Sequence, residues 1–373
     1  MHPSRLLNLL IASFFALIAP ALPAVAEVDA SLKILTSVAR EGQGNEAASA
    51  AWKDVVKAGP SALPAVLAAA GRGTPVADNW LRLAANVIVD NALQAKQTLP
   101  FAEIEGFLKD SSHRDAGRRL AWDLLQQADP TRAETLEPSL INDPVQELRR
   151  GAVQRVIDAA KAQNAAEAKA GYLRALDAVR DEDQTKIVAA ELKKLGVTVD
   201  LPRHFGFLMK WQVIGPFDNT DRKGFETVFP PEKELRFDAE YPGKGKQVKW
   251  LPFESKDEYG KVDFNQPLGS EKEVTGYAVT TIDSPVERDA ELRLGGKNAW
   301  KIWLNGQFIF GRDEYHRGQQ MDQYKLKCHL KKGANIVLVK CCQNEQKESW
   351  TVEWEFQLRL CDSTGTAILA SAK

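Results

Sequence analysis

The sequence predicts two domains of different class, an all-α helical-repeat solenoid followed by an antiparallel β-sandwich. Three observations carry that reading. Six aromatic residues lie between Glu27 and Asp200, and twenty-two lie beyond it. The first stretch is rich in Ala, Leu, Arg and Glu, which favour helix, and the second in Trp, Phe, Tyr and Val, which favour strand. The switch falls at Leu195-Gly196-Val197 with Pro202 just beyond, a helix stop followed by a linker. Finally, Trp300, Ile302 and Leu304 alternate against Lys301 and Trp303 and then meet Asn305-Gly306. That spacing predicts a half-buried strand closed by a tight hairpin turn with two positive φ angles.

Residues 1–26 read as a secretory leader. Arg5 precedes a dense apolar run from Leu6 to Ile18, Pro20 and Pro23 interrupt any helix, and Ala24-Val25-Ala26 offers a small-residue cleavage site. An uncleaved anchor is the rival reading, since Leu6–Ala26 could nearly span a bilayer. The mature chain is expected to begin at Glu27, periplasmic or secreted. Its expected division is a helical domain over 27–200, a β-domain over 201–362 and a tail over 363–373.

In the helical part Arg82-Leu83-Ala84, Arg119-Leu120-Ala121 and Arg150-Gly151-Ala152 recur inside amphipathic helices, at spacings of 37 and 31 residues. Asp110 and Asp143 stand at the turns, and Asp143-Pro144 suits a helix start. Small Ala lets paired helices approach, while Leu124, Leu125, Val156 and Ile157 fill the seam. Helix pairs at such periods make a solenoid, whose concave face docks proteins as a class property. The segment resembles HEAT-type repeats, with Asp at the inter-helix turn and Arg in the second helix. Arg82, Asp110, Arg119, Asp143 and Arg150 are therefore read as repeat positions with a structural, turn-capping role.

In the β part Leu326, Cys328 and Leu330 alternate, Gly333 permits a turn, and Ile336–Val339 reads as a buried strand. The hairpin at Trp303-Leu304-Asn305-Gly306 and the return at Leu330-Lys331-Lys332-Gly333-Ala334-Asn335 together resemble the galactose-binding-like jelly roll of family-two glycoside hydrolases. There this domain precedes the catalytic barrel. With the leader, the helical array, Gly215-Pro216-Phe217 and Phe229-Pro230-Pro231-Glu232, nearly the whole mature chain resembles exported proteins of planctomycete-type bacteria. The resemblance brings no activity with it.

A formal net charge of −1 and no basic stripe exclude a nucleic-acid partner. Cys328, Cys341, Cys342 and Cys361 lie late in the chain, open to disulfides in an oxidising compartment or to service as small buried hydrophobes. No Cys-x-x-Cys, His-Glu-x-x-His, Gly-x-Ser-x-Gly or phosphate loop is present. No cofactor is expected, although Asp218, Asn219, Asp221 and Asp283 could supply oxygens to a structural calcium.

The loop Arg312-Asp313-Glu314-Tyr315-His316-Arg317 leaves the Asn-Gly hairpin and combines polar side chains with an aromatic. A sugar has an apolar face and a polar rim, so Trp303 and Tyr315 are candidates for stacking. Asp313, His316 and Arg317 are candidates for directional hydrogen bonds. Trp300 and Trp354 are assigned to the core. Glu353 and Glu355 alternate along the last strand and project to one face, and no cleft joins them. The function expected is non-enzymatic: the β-domain engages carbohydrate or a cell-envelope polymer, and the helical repeats dock a protein partner. The alternatives are a purely structural envelope scaffold and a hydrolase of carbohydrate or ester substrates.

Overall fold

The computed structural model describes residues 22–369. Most of the expected leader lies outside these residues. Helix α1 spans Leu22–Thr36, so Pro23 stands within the first helical turn instead of ending a helix. Among the described residues no helix is long and apolar enough to cross a membrane. The chain divides into two compact units, Met1–Leu148 and Arg149–Lys373, taken separately below.

The first unit is helical. After α1 come α2 (Asn45–Ala58), α3 (Leu63–Ala69), α4 (Pro75–Gln94), α5 (Phe101–Lys109), α6 (Asp115–Ala128), α7 (Pro130–Leu136) and the start of α8 (Gln146–Lys161). Helix α4 is started by Thr74, whose hydroxyl accepts the Ala77 N–H at 3.2 Å, with Pro75 at the first helical position. Ala84, Ala85 and Ala121 are buried with Leu81, Leu120 and Leu124. Small residues thus sit where the helices cross. One ion pair lies deep among them. Arg118 donates from both terminal nitrogens to Asp143, at 2.9 and 2.5 Å, and from Nε to the Leu108 carbonyl at 2.9 Å. Asp143 therefore ties successive helix pairs together, but through Arg118 and not through its neighbour Arg119.

The second unit begins with helices and ends in sheets. Helix α8 continues into it, followed by α9 (Ala165–Ala178), α10 (Glu182–Lys194) and short α11 (Leu201–Phe205). Gly196, at φ +76°, ends α10 where a helix stop was expected, yet the division between the units falls earlier in the chain. Arg150 makes a two-pronged pair with Asp183, at 2.8 and 2.7 Å, which holds the Asp183 carboxyl down to about 2.

His204 is a partly buried residue of α11, and its Nε2 finds no hydrogen-bond partner. Burial, then the nearby Arg180, pushes the imidazole down to about 4, against an opposing Val179 backbone contact. The unfolded chain takes up this proton near pH 6.5 and the folded chain only near 4. Stability is therefore full above pH 6.5 and lost on acidification through that window, by about 3 kcal/mol. Denaturant titrations at pH 7.5, 6 and 5 should show this slope in the native chain and a flatter one in His204→Gln. Equal slopes in the two proteins would assign the acid sensitivity elsewhere.

The strands are β1 (Lys210–Asp218), β2 (Glu240–Pro242), β3 (Gln247–Lys249), β4 (Leu251–Glu254), β5 (Lys261–Asp263) and β6 (Val274–Ser284). They continue as β7 (Arg288–Gly296), β8 (Ala299–Leu304), β9 (Gln307–Arg312), β10 (Tyr324–Leu330), β11 (Gly333–Gln343) and β12 (Glu355–Cys361). All pairings are antiparallel. A six-stranded sheet runs β4-β1-β6-β11-β8-β9, a four-stranded sheet runs β10-β7-β12-β5, and β2 and β3 form a separate hairpin. The two larger sheets share one core: Trp211, Trp300, Ile302 and Val339 come from the first, and Leu292, Leu294, Phe356 and Leu358 from the second. Trp354 joins them, and Gly276 leaves room for it, since a Cβ there would lie 2.8 Å from the Trp354 ring.

The β8–β9 turn has Asn305 at φ +53° and Gly306 at φ +77°, the two positive angles expected. Pairing then slips between Ile302 and Trp303, so that Ile309 is an extra residue on β9. The side of the six-stranded sheet away from the shared core is also covered. Ile214, Phe217, Tyr277 and Leu338 pack there with Val248, Trp250 and Phe229 from the segment between β1 and β4.

Candidate functional site

Strands β1, β9 and β11 run parallel to one another through their antiparallel neighbours, so their C-terminal ends share one end of the sheet. Three segments leave there: the turn at Thr220–Phe225, the loop after Arg312 and the loop after Gln343. Asn219 knits them together. Fully buried, it donates from Nδ2 to the Gln343 carbonyl at 2.9 Å and to the Tyr315 hydroxyl at 3.2 Å. His316 Nε2 lies 2.7 Å from Asn344 Oδ1, and Arg222 pairs with Glu345 at 2.5 Å. Asp221, Arg222 and His316 all adopt positive φ, at 54°, 61° and 57°. Such backbone conformations persist in non-glycine residues only where the surroundings hold them.

Charge gathers on this end. Glu226 meets the Lys301 ammonium at 2.9 Å, and Lys301 lies over the Phe225 ring at 4.2 Å. Asp313 faces the same group. Its carboxyl is held above the usual range by partial burial first and then by the Glu226 charge, against the pull of Arg222 and Lys301. Glu226 is the residue that sequence reading missed. Its relation to Asp313 spans two loops distant in sequence, and no local pattern marks it.

The residues singled out from sequence fall into two groups. Asp313, Tyr315 and His316 are brought to this end. Tyr315 is half-buried against Phe225, Ala299 and Cys342, and the Arg222 guanidinium lies 5.2 Å from its ring centre. Burial pushes its hydroxyl well above the ordinary value. It is a pillar of the loop more than an open stacking face. His316 is committed to Asn344, and Arg317 to Glu314 at 3.2 Å. Trp303 points away from the shared core as expected, but it packs on the covered outer layer and meets the Phe308 ring edge-on at 5.8 Å.

Other expectations resolve as follows. Asp218 accepts the Thr220 hydroxyl at 2.7 Å, whereas Asp283 sits at the far end of β6, roughly 30 Å of strand away. The four oxygen-bearing residues considered for calcium are thus not brought together, and the described residues hold no cluster of three His, Cys, Asp or Glu suited to a metal. Glu353 lies before β12 and pairs with Lys297 at 2.9 Å, while Glu355 is buried within β12 and pairs with Lys261 at 3.0 Å. They do not share an open face. All four cysteines are free, and burial pushes Cys328, Cys342 and Cys361 up to about 11. Among the repeat positions, Asp110 accepts the Ser112 N–H at 2.9 Å, Arg119 pairs with Glu147 at 2.6 Å, and Arg82 is exposed near Asp123.

No protein-family model matches the chain, and no curated protein matches it. Among solved structures it is similar to a GH31 alpha-xylosidase from Xanthomonas citri, at 8% identity and TM-score 0.19, over 30% of this chain and 15% of that one. It is also similar to a beta-glucosidase from Kluyveromyces marxianus, at 9% identity and TM-score 0.26, over 74% of this chain and 35% of that one. The chain thus spans about a third or less of these proteins. The expected non-enzymatic binder is corrected at this point. Both similar structures bear the names of glycoside hydrolases, the class of the alternative reading, and neither that of a non-enzymatic binder. The side chains assigned to a bound ligand are moreover largely engaged within the protein. At such TM-scores the likeness carries no argument about fold or chemistry, so any reaction has to stand on this chain's own residues.

Proposed function

We propose that the loop end of the β-sheet region is a hydrolytic site for glycosidic bonds, with Asp313 as acid and Glu226 as base. The observation that supports this most directly is an exposed carboxyl, Asp313, held above its ordinary range beside a second carboxylate. Glycoside hydrolysis uses one carboxyl as proton donor and a second as base, and a raised pKa suits the donor. In the balanced scheme Asp313 gives its proton to the glycosidic oxygen as the bond from that oxygen to the anomeric carbon breaks. Water forms the new bond to the anomeric carbon and loses a proton to Glu226. Lys301, 2.9 Å from Glu226, holds the base in place, and the Arg222 charge acts on Asp313 from the Glu345 side.

We further read the two packed sheets as a jelly roll and the helix pairs as a HEAT-like array. The antiparallel strand order and the Arg118–Asp143 link between successive helix pairs support that finer description. Cleavage of the leader after Ala26 and export belong to the same proposal.

The test uses the chain from Glu27 and a panel of 4-nitrophenyl glycosides. Hydrolysis of at least one member is expected. Asp313→Asn and Glu226→Gln should each lower it by about 10²-fold or more. In the native protein the rate should fall as pH rises through the raised pKa of Asp313, where that carboxyl loses its proton. A panel with no turnover, or variants at the native rate, would dismiss the reading.

A further inference from the structure

Trp350 stands apart from the other tryptophans. Among the described residues it is the only exposed one, with 56% of its surface open, and its neighbour Val352 is open as well. An exposed indole is ordinarily held loosely. This one sits in a short turn, Ser349–Thr351, that is fixed from several sides. Thr351 is fully buried, and its hydroxyl donates to the Gln346 and Glu348 carbonyls at 3.0 and 2.8 Å. Its own carbonyl accepts from Lys272 at 2.7 Å and from Gln343 at 3.0 Å. The His316 ring meets the indole edge-on, 5.5 Å between centres at 86°. His316 is in turn fixed by the buried Asn344. The aromatic surface is therefore held in place before any ligand arrives, and a rigid platform loses little freedom on binding.

The surroundings indicate the ligand class. The ring of His316 stands at the edge of this apolar plate, and the Glu345 carboxylate, paired with Arg222, lies near that ring. A plate with a polar margin matches a pyranose whose hydroxyls are all equatorial, which presents a flat C–H face and a rim of donors and acceptors. We propose that Trp350 is the stacking platform for such a ring, of gluco or xylo configuration, in the substrate of the site described above. The assignment rests on the hydrolytic reading for its context, but it can be tested without it.

Cellohexaose and xylohexaose are titrated into the full chain from Glu27 and into its Trp350→Ala, Trp350→Phe and Asp313→Asn variants, with binding followed by calorimetry. The native chain and Asp313→Asn should bind at least one of the two saccharides. Trp350→Ala should bind at least tenfold more weakly, and Trp350→Phe should recover part of the loss. Undiminished affinity in Trp350→Ala, or no binding of either saccharide to the native chain, overturns the platform. Binding through Trp350 without any glycoside turnover would leave the platform standing and remove the hydrolytic reading. Turnover with an unchanged KM in Trp350→Ala would do the reverse.

Discussion

Replacing Asp143 by Ala should destabilise the first unit by about 3–5 kcal/mol, because it leaves the Arg118 guanidinium buried without its counter-charge. Arg118 is 1% exposed and cannot turn toward water without opening the helix packing around it. The Leu108 carbonyl would remain as a partner for Nε, but both terminal nitrogens would lose theirs. Asp143 also accepts the Val145 N–H at 2.9 Å, so the turn leading into α8 loses a fixed point as well. The readout is amide hydrogen exchange in α5 and α6, which reports this unit separately from the second. The double variant Arg118→Met, Asp143→Leu should recover most of the protection, since an apolar pair removes both charges together. Unchanged exchange in the single variant would mean that water reaches the guanidinium and the pair contributes little.

The second large effect is expected at Lys340, whose side chain lies fully buried on the covered side of β11. Its ammonium donates to the Phe225 carbonyl at 3.0 Å, the Thr227 carbonyl at 2.7 Å and Glu232 at 2.8 Å. Burial lowers its pKa and Glu232 opposes that shift. The Tyr277 hydroxyl donates to the same Glu232 oxygen, so one carboxylate is served by two strands of the sheet. Lys340→Met should cost about 3–5 kcal/mol, the range for stranding one charge of a buried pair. The segment from Phe225 to Glu232 should loosen first, since two of its carbonyls lose their donor. Limited proteolysis near the exposed Val228 measures this directly. Adding Glu232→Gln should restore part of the loss, and strict additivity of the two changes would show that they do not interact.

Much of the architecture can be read in the residues because its signals are local. Asn305-Gly306 dictates its turn through the φ angles that those two residues tolerate, and the alternation of Trp300, Ile302 and Leu304 marks one inward face. Alternation says that a strand has two faces, however, and not that one is wet. Here the segment between β1 and β4 covers the second face, so Lys340, Tyr277 and Cys342 are buried although they lie on the side away from the shared core. Ile336 shows the opposite case, an apolar residue of a buried strand that remains open to water. In the helical array the amphipathic stripe locates the arginines. It does not say which of Arg118 and Arg119 turns inward, a choice made by the neighbouring helix pair. The candidate site was half legible. The loop bearing Asp313 and His316 was visible in its composition, whereas Glu226 and Trp350 gain meaning only when three loops from distant strands meet.

The slipped pairing beside Ile309 bears on how the chain behaves in a crowd. Strand β9 is the rim of the six-stranded sheet and carries the exposed Phe308 and Phe310, the sort of sticky border along which sheets from separate molecules zip together. The extra residue bends that border, so its unpaired N–H and C=O groups cannot present the evenly spaced row that an incoming strand needs. The opposite rim is guarded by Pro252 in β4, and the rim of the second sheet by Lys325 and Lys327 in β10. One surplus isoleucine thereby breaks the regular border beside two phenylalanines that face water.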